Sequence, residues 1–279
     1  MSLVVVAKSN MGIAVAGDSR RSVLFEYGQS DFRRGYYDGV EKLFIPPSEP
    51  TCGIATWGSS RLGSLTTPSL LAAFQNSSRN GMESVESYAK DLAKFLAHLE
   101  VSARGLPMRH MGILVAGHDK VDGSGHIFLL DISEGTDEDY TFHVEVSEVL
   151  AGDTGLVWFG SKSILNNLLI PPPKLNLTVT TTGGGFQDST RPMKNADHSL
   201  VQGINVSEAP VLELAGLACS LVQVAICVSR FIPDLQQVGG DVLVLLMEAN
   251  RTSRRYVYLT NPRTLFSVDG HGGPSTLVT

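Results

Sequence analysis

The sequence predicts an α+β fold, specifically a four-layer αββα sandwich in which two antiparallel sheets face each other and helices cover both. Short apolar runs separated by turn residues come in groups, which is typical of β-hairpins. Segments whose apolar residues have helical spacing interrupt these groups in pairs. Strands and helices therefore alternate in runs and not one by one, an order that favours antiparallel sheets with segregated helices.

The first sixty residues contain four predicted strands. Residues 3–7 and 13–16 flank a polar turn, and their β-branched side chains suit a pleated strand. Residues 22–39 are polar and rich in Phe and Tyr, so we expect a long loop there. Two further strands are predicted at 40–45 and 51–57, separated by a proline-rich turn.

Helical spacing then replaces the strand pattern. We expect one domain over residues 1–279, with a polar inserted loop or arm at 171–204, whose central part, 174–203, has no clear period. The elements predicted after residue 60 are helices at 67–75 and 85–101, strands at 111–116, 127–132, 142–149 and 157–159, helices at 163–169 and from Ser207 to about Phe231, and strands at 242–247 and 256–259.

Composition excludes several classes of function. The 279 residues are 43% hydrophobic and 18% charged, as in a globular protein with a sizeable core. A net charge of −6 argues against nucleic acid as a partner, because binding it needs a basic face. Cys52, Cys219 and Cys227 lie in apolar surroundings, which indicates reduced thiols and a cytoplasmic protein. The histidines lack the spacing of a zinc site, so we expect no metal and no cofactor.

The sequence favours neither a signal peptide nor a membrane protein. Its start lacks a basic region, and the first apolar run is broken at residues 8–10. Residues 211–232 are apolar over about the length that spans a bilayer, but Glu213, Ser220 and Gln223 interrupt them. We therefore expect a core helix there.

Ser2 is the candidate nucleophile. A small residue after Met1 generally allows removal of the initiator methionine, which would leave a free α-amine beside the Ser2 hydroxyl. An α-amine has a pKa of about 8, so part of it is neutral at pH 7 and can accept the hydroxyl proton. Many proteins begin with Met-Ser, and an ordinary first strand is the alternative interpretation.

Two charged residues lie in strand-like surroundings. Asp18 directly follows an apolar run, and Lys42 lies between Val40 and Leu43. A carboxylate at the end of a core strand is costly unless it is paired, so we expect an Asp18–Lys42 ion pair. Its positive charge would lower the pKa of the Ser2 amine and hydroxyl. The alternatives are a turn cap for Asp18 and an exposed strand face for Lys42.

Residues 2–20 resemble the start of proteasome β subunits and of their bacterial relatives of the HslV and Anbu types, which are N-terminal nucleophile (Ntn) hydrolases. That family carries an Asp-Ser-Arg-like motif sixteen residues after its nucleophile, and here Asp18 lies sixteen residues after Ser2. Further similar segments follow in the family's order: Glu41-Lys-Leu-Phe-Ile45, Ile54-Ala-Thr-Trp-Gly58, residues 113–119 and 125–135, Phe159-Gly-Ser-Lys-Ser163 and Val238-Gly-Gly240.

The resemblance implies the Ntn-hydrolase fold and a threonine/serine-type endopeptidase. Ser2 would attack the scissile carbonyl in place of the family's usual threonine, and its α-amine would carry the proton. Lys42 and Asp18 would tune this pair electrostatically. The Gly58 N–H would hold the oxyanion, and Ser161 would hydrogen-bond the amine or a catalytic water.

The resemblance also implies partners and leaves alternatives open. The expected substrates are peptides or unfolded proteins, with Arg21, Thr56 and Ser60 lining a first pocket. The expected assembly is a homo-oligomer, as stacked rings or a helical array. An ATPase unfoldase is a further expected partner. The alternatives are a catalytically inactive structural subunit of the same fold and an amidase acting on a small molecule.

The chain departs from the family's pattern in four places. The Asp18–Lys42 separation is longer, which implies an insertion at about 25–37. Val238 replaces a hydroxyl residue, and Asp234 is one residue out of register with a supporting carboxylate. Trp57 replaces a small residue beside the oxyanion glycine, so we expect it to crowd the cleft.

Overall fold

A computed structural model gives the fold over most of the chain. It describes residues 2–27, 31–46, 51–62, 64–77, 84–99, 110–134, 142–161, 163–169, 204–231, 238–248, 255–261, 264–268 and 274–276. Residues 171–203 of the predicted arm and Asp234 lie outside the described residues.

Most of the strands belong to two antiparallel sheets. The first sheet has the order β12 (Gly155–Gly160), β1 (Leu3–Ser9), β2 (Gly12–Asp18), β13 (Val242–Glu248), β14 (Arg255–Asn261), β15 (Thr264–Val268), β16 (Pro274–Thr276). The second has the order β11 (Phe142–Glu148), β10 (Gly125–Glu134), β9 (Met111–His118), β6 (Thr51–Gly58), β5 (Leu43–Phe44). Two smaller antiparallel pairs are β3 (Arg21–Tyr27) with β4 (Asp31–Tyr37) and β7 (Arg61–Leu62) with β8 (Leu65–Thr66).

The helices occupy the two long segments between groups of strands. They are α1 (Thr67–Ser77), α2 (Val85–Ala97), α3 (Ser163–Leu169) and α4 (Val211–Ser229). A capping box starts α2, because the Ser84 hydroxyl accepts from the Ser87 N–H and the Ser87 hydroxyl accepts from the Ser84 N–H. Its buried face has helical spacing, with Tyr88, Leu92 and Leu96 facing the core.

The described residues form three clusters of buried apolar side chains, and β1 contributes to two of them. Leu3 and Val5 pack with α4 on one face of the first sheet. Val4 and Val6 point to the other face and pack with residues of β6, β9 and β10 from the second sheet. The third cluster joins the second sheet to α1 and α2. An N-terminal strand buried on both faces explains the unbroken run of valines. The predicted mixture of antiparallel sheets with segregated helices is confirmed.

The predicted loop at 22–39 is wrong. Residues Arg21–Tyr27 and Asp31–Tyr37 are strands that pair from Arg21 with Tyr37 to Tyr27 with Asp31. Aromatic residues favour strands, and this preference outweighs the polar character of the segment. The sheet also continues past the predicted last hairpin, since β15 and β16 extend it.

Among the described residues, α4 is the one helix long and apolar enough to cross a bilayer, with a mean hydropathy of 2.2. Leu214, Ala218 and Val222 on one side of it are fully buried against the first sheet. This packing is that of a core helix, as the sequence predicts.

Gly112→Ala should destabilise the protein. A Cβ at Gly112 would stand 2.1 Å from the Trp57 ring, so the substitution overpacks the core between the sheets. We expect the free energy of unfolding in urea to fall by about 1–3 kcal/mol.

Asn76→Ala, on the exposed side of α1, is the control. We expect it to change the free energy of unfolding by no more than about 0.5 kcal/mol, as surface substitutions usually do. Equal stability of the two variants would contradict the packing of Trp57 over Gly112.

Candidate functional site

Asp18 is the centre of a buried polar network at the end of β2. Its side chain is 0% exposed, and donors from four separate positions reach it. Oδ1 accepts from the Leu3 N–H and from Lys42 Nζ, each at 2.9 Å. Oδ2 accepts from the Arg20 N–H at 3.3 Å and from the Gly239 N–H at 3.1 Å. These donors compensate a buried carboxylate for its lost water.

Lys42 is buried just before β5 and makes the predicted ion pair with Asp18. Its Nζ also donates to the backbone oxygen of Arg20, and its own carbonyl accepts from the Thr56 N–H at 2.9 Å. Burial lowers the pKa of Lys42, while the Asp18 carboxylate partly offsets this by favouring the charged form. The alternative of an exposed lysine is therefore wrong. Asp18 does cap the turn after β2 through the Arg20 N–H, and it binds Lys42 and two distant N–H groups as well.

Ser2 is held by backbone contacts on both of its sides. Its carbonyl oxygen accepts from the Ser161 N–H at 2.8 Å, and the next residue, Leu3, donates to Asp18. Gly160 has a φ of +83°, and a Cβ there would lie 1.9 Å from the Ser2 oxygen. Only glycine allows this approach. Ser2 and Ser161 are both buried, and pairing of β1 with β12 makes them neighbours.

Gly58 ends β6 in a conformation that also requires glycine. Its φ is +84°, and a Cβ would stand 2.2 Å from the His110 oxygen. That oxygen accepts from the N–H of Ser59 at 3.1 Å. The backbone of His110, a residue that the sequence pattern did not single out, therefore closes this turn.

The expected pocket residues differ in accessibility. Arg21 and Ser60 are half-buried at the ends of strands, whereas Thr56 is only 5% exposed. Alternation along β6 places Thr56 on the same face as Ile54, which packs toward α1 and α2. Their contact with a substrate stays a prediction, and Thr56 is the least accessible of the three.

Trp57 does not crowd an open cleft, contrary to expectation. Its buried ring stacks on Phe159 with centroids 5.0 Å apart and lies over Gly112. The residues alternate in direction along β6, so Ala55 and Trp57 both face the core between the sheets. The ring edge approaches Gly160, where a Cβ would lie 3.5 Å from it. Trp57 thus supports the strand that holds Ser2.

Arg20 and Asp38 form a second ion pair beside the network, which sequence reasoning missed. Arg20 Nε and Nη2 donate to the two Asp38 oxygens at 2.7 and 2.9 Å, and the hydrogen bonds hold the pKa of Asp38 below its usual value. A Cβ at Gly239 would lie 2.4 Å from the Arg20 guanidinium carbon. The pair fixes the backbone that binds both Asp18 and Lys42. Its one signal in the sequence was the Asp-Ser-Arg motif.

Ser19 ties the same loop to the start of β13. It is buried, and its hydroxyl oxygen accepts from the Asp241 N–H at 2.8 Å and from the Gly39 N–H at 3.3 Å.

Among the residues that the structure describes, no group of three or more His, Cys, Asp or Glu side chains could hold a metal ion. The site consists of hydroxyls, one ion pair and backbone N–H groups, which suits proton transfer and nucleophilic attack.

No family model matches this sequence, and no curated protein matches it. Its fold is similar to that of Anbu (ancestral beta-subunit) from Yersinia bercovieri, with 15% identity and a TM-score of 0.50 over 93% of this chain and 88% of that one. It is also similar to the Anbu (Gly-1) mutant from Hyphomicrobium sp. strain MC1, with 12% identity and a TM-score of 0.51 over 94% and 89%. The resemblance to Anbu, a relative of the HslV and proteasome type, is confirmed at the level of the fold.

Lys42→Met should change how stability depends on pH. Burial lowers the pKa of Lys42 below its usual value of 10.5, so between the two values the unfolded chain binds more protons than the folded one. The free energy of unfolding of the unchanged protein therefore rises with pH in that window, and the variant lacks this rise.

Urea denaturation from about pH 7 to about pH 10 measures the difference between the two proteins. Lys94→Met, which removes an exposed lysine of α2, should leave the slope unchanged. A difference between Lys42→Met and the unchanged protein that is constant with pH would contradict the lowered pKa.

Proposed function

We propose that this protein is a proteasome-like N-terminal nucleophile peptidase in which Ser2, freed by removal of Met1, cleaves peptide bonds. The observation that carries the proposal is the buried Asp18–Lys42 ion pair, because its carboxylate also accepts the N–H of Leu3, next to Ser2. The positive charge of this buried pair, close to an N-terminal hydroxyl residue, would lower the pKa of that residue's amine and hydroxyl and so activate the nucleophile.

The proposed architecture is the four-layer αββα sandwich of a single domain. Packing of α4 on the first sheet, the shared apolar cluster between the sheets and packing of α1 and α2 on the second sheet support it. The proposed domain includes the insertion at 171–204 that the sequence predicts.

In the proposed reaction the Ser2 α-amine takes the proton of the Ser2 hydroxyl while the oxygen attacks the scissile carbonyl carbon. The Gly58 N–H stabilises the negative oxygen of the tetrahedral intermediate. The protonated amine then gives its proton to the leaving amine as the C–N bond breaks, and an ester to Ser2 remains. Water, deprotonated by the amine and held by Ser161, hydrolyses this ester. The positive charge of Lys42 keeps the amine pKa low enough for this proton transfer.

The proposed substrates are peptides or unfolded proteins, and the proposed assembly is a cytoplasmic homo-oligomer. Likeness of fold to the Anbu proteins, one of which is named an ancestral beta-subunit, supports an assembly of subunits. An ATPase unfoldase is a further proposed partner, which rests on the sequence resemblance. Arg21 and Ser60 are the accessible side chains that would contact the substrate. Enclosure in an assembly would restrict access to a site that selects its substrates weakly.

A catalytically inactive structural subunit is the second candidate function. It is favoured by Val238, which is fully buried and apolar at the position where the resemblance expects a hydroxyl residue. The Asp18 network would then serve stability alone.

Ser2→Ala tests the proposed function. The intact mass of the purified protein should be lower than that of the full sequence by one methionine residue. Hydrolysis of fluorogenic peptides should fall by at least about 10³ in kcat/KM in the alanine variant, because no other hydroxyl replaces the nucleophile. Ser2→Thr should keep activity.

Ser77→Ala, at the exposed end of α1, is the control and should leave the rate unchanged. Retention of Met1, or equal rates for Ser2→Ala and the unchanged protein, would rule out Ser2 as nucleophile. A processed but inactive protein would favour the structural subunit, and turnover of small amides without peptides would favour the amidase.

A further inference from the structure

One side of α4 is apolar and exposed although its opposite side is in the core. The residues of this outer stripe recur every three or four positions, with an adjacent pair at each end, so they share one side of the helix. Leu212 and Val224 are 46% and 44% exposed, and Phe231 is 86% exposed. A helix that is apolar on all sides is normally buried on all sides. The outer stripe consists of the exposed residues Leu212, Glu213, Gly216, Ser220, Val224 and Cys227 of α4, together with Arg230 and Phe231 in the turn that follows it.

When two outer stripes are aligned in opposite directions, residues of opposite charge face each other and large apolar residues face each other. Glu213 and Arg230 lie at equal distances from the midpoint between positions 221 and 222, and they are the charged residues of the stripe. The same midpoint relates Gly216 to Cys227 and pairs the large apolar ends, Leu212 and Phe231. Between the two charges the sequence of α4 has no charged residue.

We propose that two copies of this chain pair through their outer stripes with the two α4 helices antiparallel. Charge complementarity selects this arrangement, because it places Glu213 of each copy opposite Arg230 of the other. A parallel pair would bring like charges together at both ends. Each contact occurs twice, as two-fold symmetry requires.

Small residues in the outer stripe give the room that close helix packing needs. A Cβ at Gly216 would meet no atom of the described residues within 4 Å, so these residues leave room above this position. The neighbouring Ser220 hydroxyl donates to the Gly216 oxygen at 2.8 Å. Its hydrogen is therefore used within the helix, and the surface at this point is uncharged. Such a surface is suited to an apolar partner and not to water.

The paired helix lies close to the candidate site. The Ser229 hydroxyl at the end of α4 donates to the Val238 oxygen at 2.9 Å, and the N–H of the following Gly239 donates to Asp18. Pairing therefore holds the element that completes the Asp18 network. The proposal adds a contact face to the proposed homo-oligomer and does not depend on whether Ser2 is a catalyst.

Charge reversal tests the pairing. Sedimentation velocity of the full chain over a series of concentrations should give a dimer dissociation constant at least about tenfold higher for Glu213→Arg and for Arg230→Glu, because each places like charges at both ends. The double variant Glu213→Arg/Arg230→Glu should return to within about threefold of the unchanged protein. A double variant as weak as the weaker single variant would overturn the antiparallel arrangement.

The charge of Arg230 also lowers the pKa of Asp38 within the same chain, so charge reversal changes more than the pairing. Disulfide trapping gives a second test that leaves Arg230 unchanged. Gly216→Cys should form disulfide-linked dimers with Cys227 of the second copy when treated with copper phenanthroline, which accepts the two thiol electrons. Within one helix the two positions are about 16 Å apart, too far for a bridge. Gly216→Cys/Cys227→Ser should not cross-link, and neither should Ala72→Cys on the exposed face of α1.

The outcomes separate this proposal from the proposed function. Oligomers that persist in every variant without cross-linking would overturn the α4 face and leave the homo-oligomer standing. A monomeric unchanged protein would overturn both, while the Ser2→Ala comparison would still decide catalysis. A Gly216→Cys thiol that resists maleimide in a monomer would show that another part of the chain covers the outer stripe, which also overturns the pairing.

Discussion

The buried charge of Asp18 is the constraint on which the site depends. A carboxylate without water needs a donor for each lone pair that it presents. Here the donors come from the start of β1, the loop after β2, the residue before β5 and the segment before β13. Chain segments more than two hundred residues apart therefore converge on one side chain. Their convergence fixes the backbone next to Ser2.

The backbone around Ser2 is positioned by rigid strands. Pairing of β1 with β12 brings the N–H of Ser161 to the Ser2 oxygen, and the stacked rings of Trp57 and Phe159 support the same strand end from the core. Gly160 permits a contact that any side chain would prevent. A site built on strand ends keeps its geometry better than one built on loops. The proposed role of Ser2 needs this, because chain termini otherwise fray.

The helix α4 has two surfaces with different surroundings. One side closes the core over the first sheet, and the other presents the outer stripe. Its end is bonded to the segment that donates to Asp18, so contacts on the outer stripe and order at the candidate site are physically connected. High mean hydropathy in a helix that packs on a sheet is therefore consistent with a second protein surface as well as with a core.

Features that depend on neighbouring residues were predictable from local sequence patterns. Periods of two and of 3.6 indicated the main strands and helices, and the β1–β2 hairpin placed Asp18 near Leu3 because antiparallel pairing returns the chain to its start. The cost of burying single charges was sufficient to predict the Asp18–Lys42 pair. Three further features follow from the folded chain alone: β3 and β4 are strands, Trp57 faces the core, and Arg20 binds Asp38. The same holds for Ser161, whose N–H reaches Ser2. These features result from contacts between segments distant in the chain, and local pattern carries no information about which distant partner a side chain or N–H will meet.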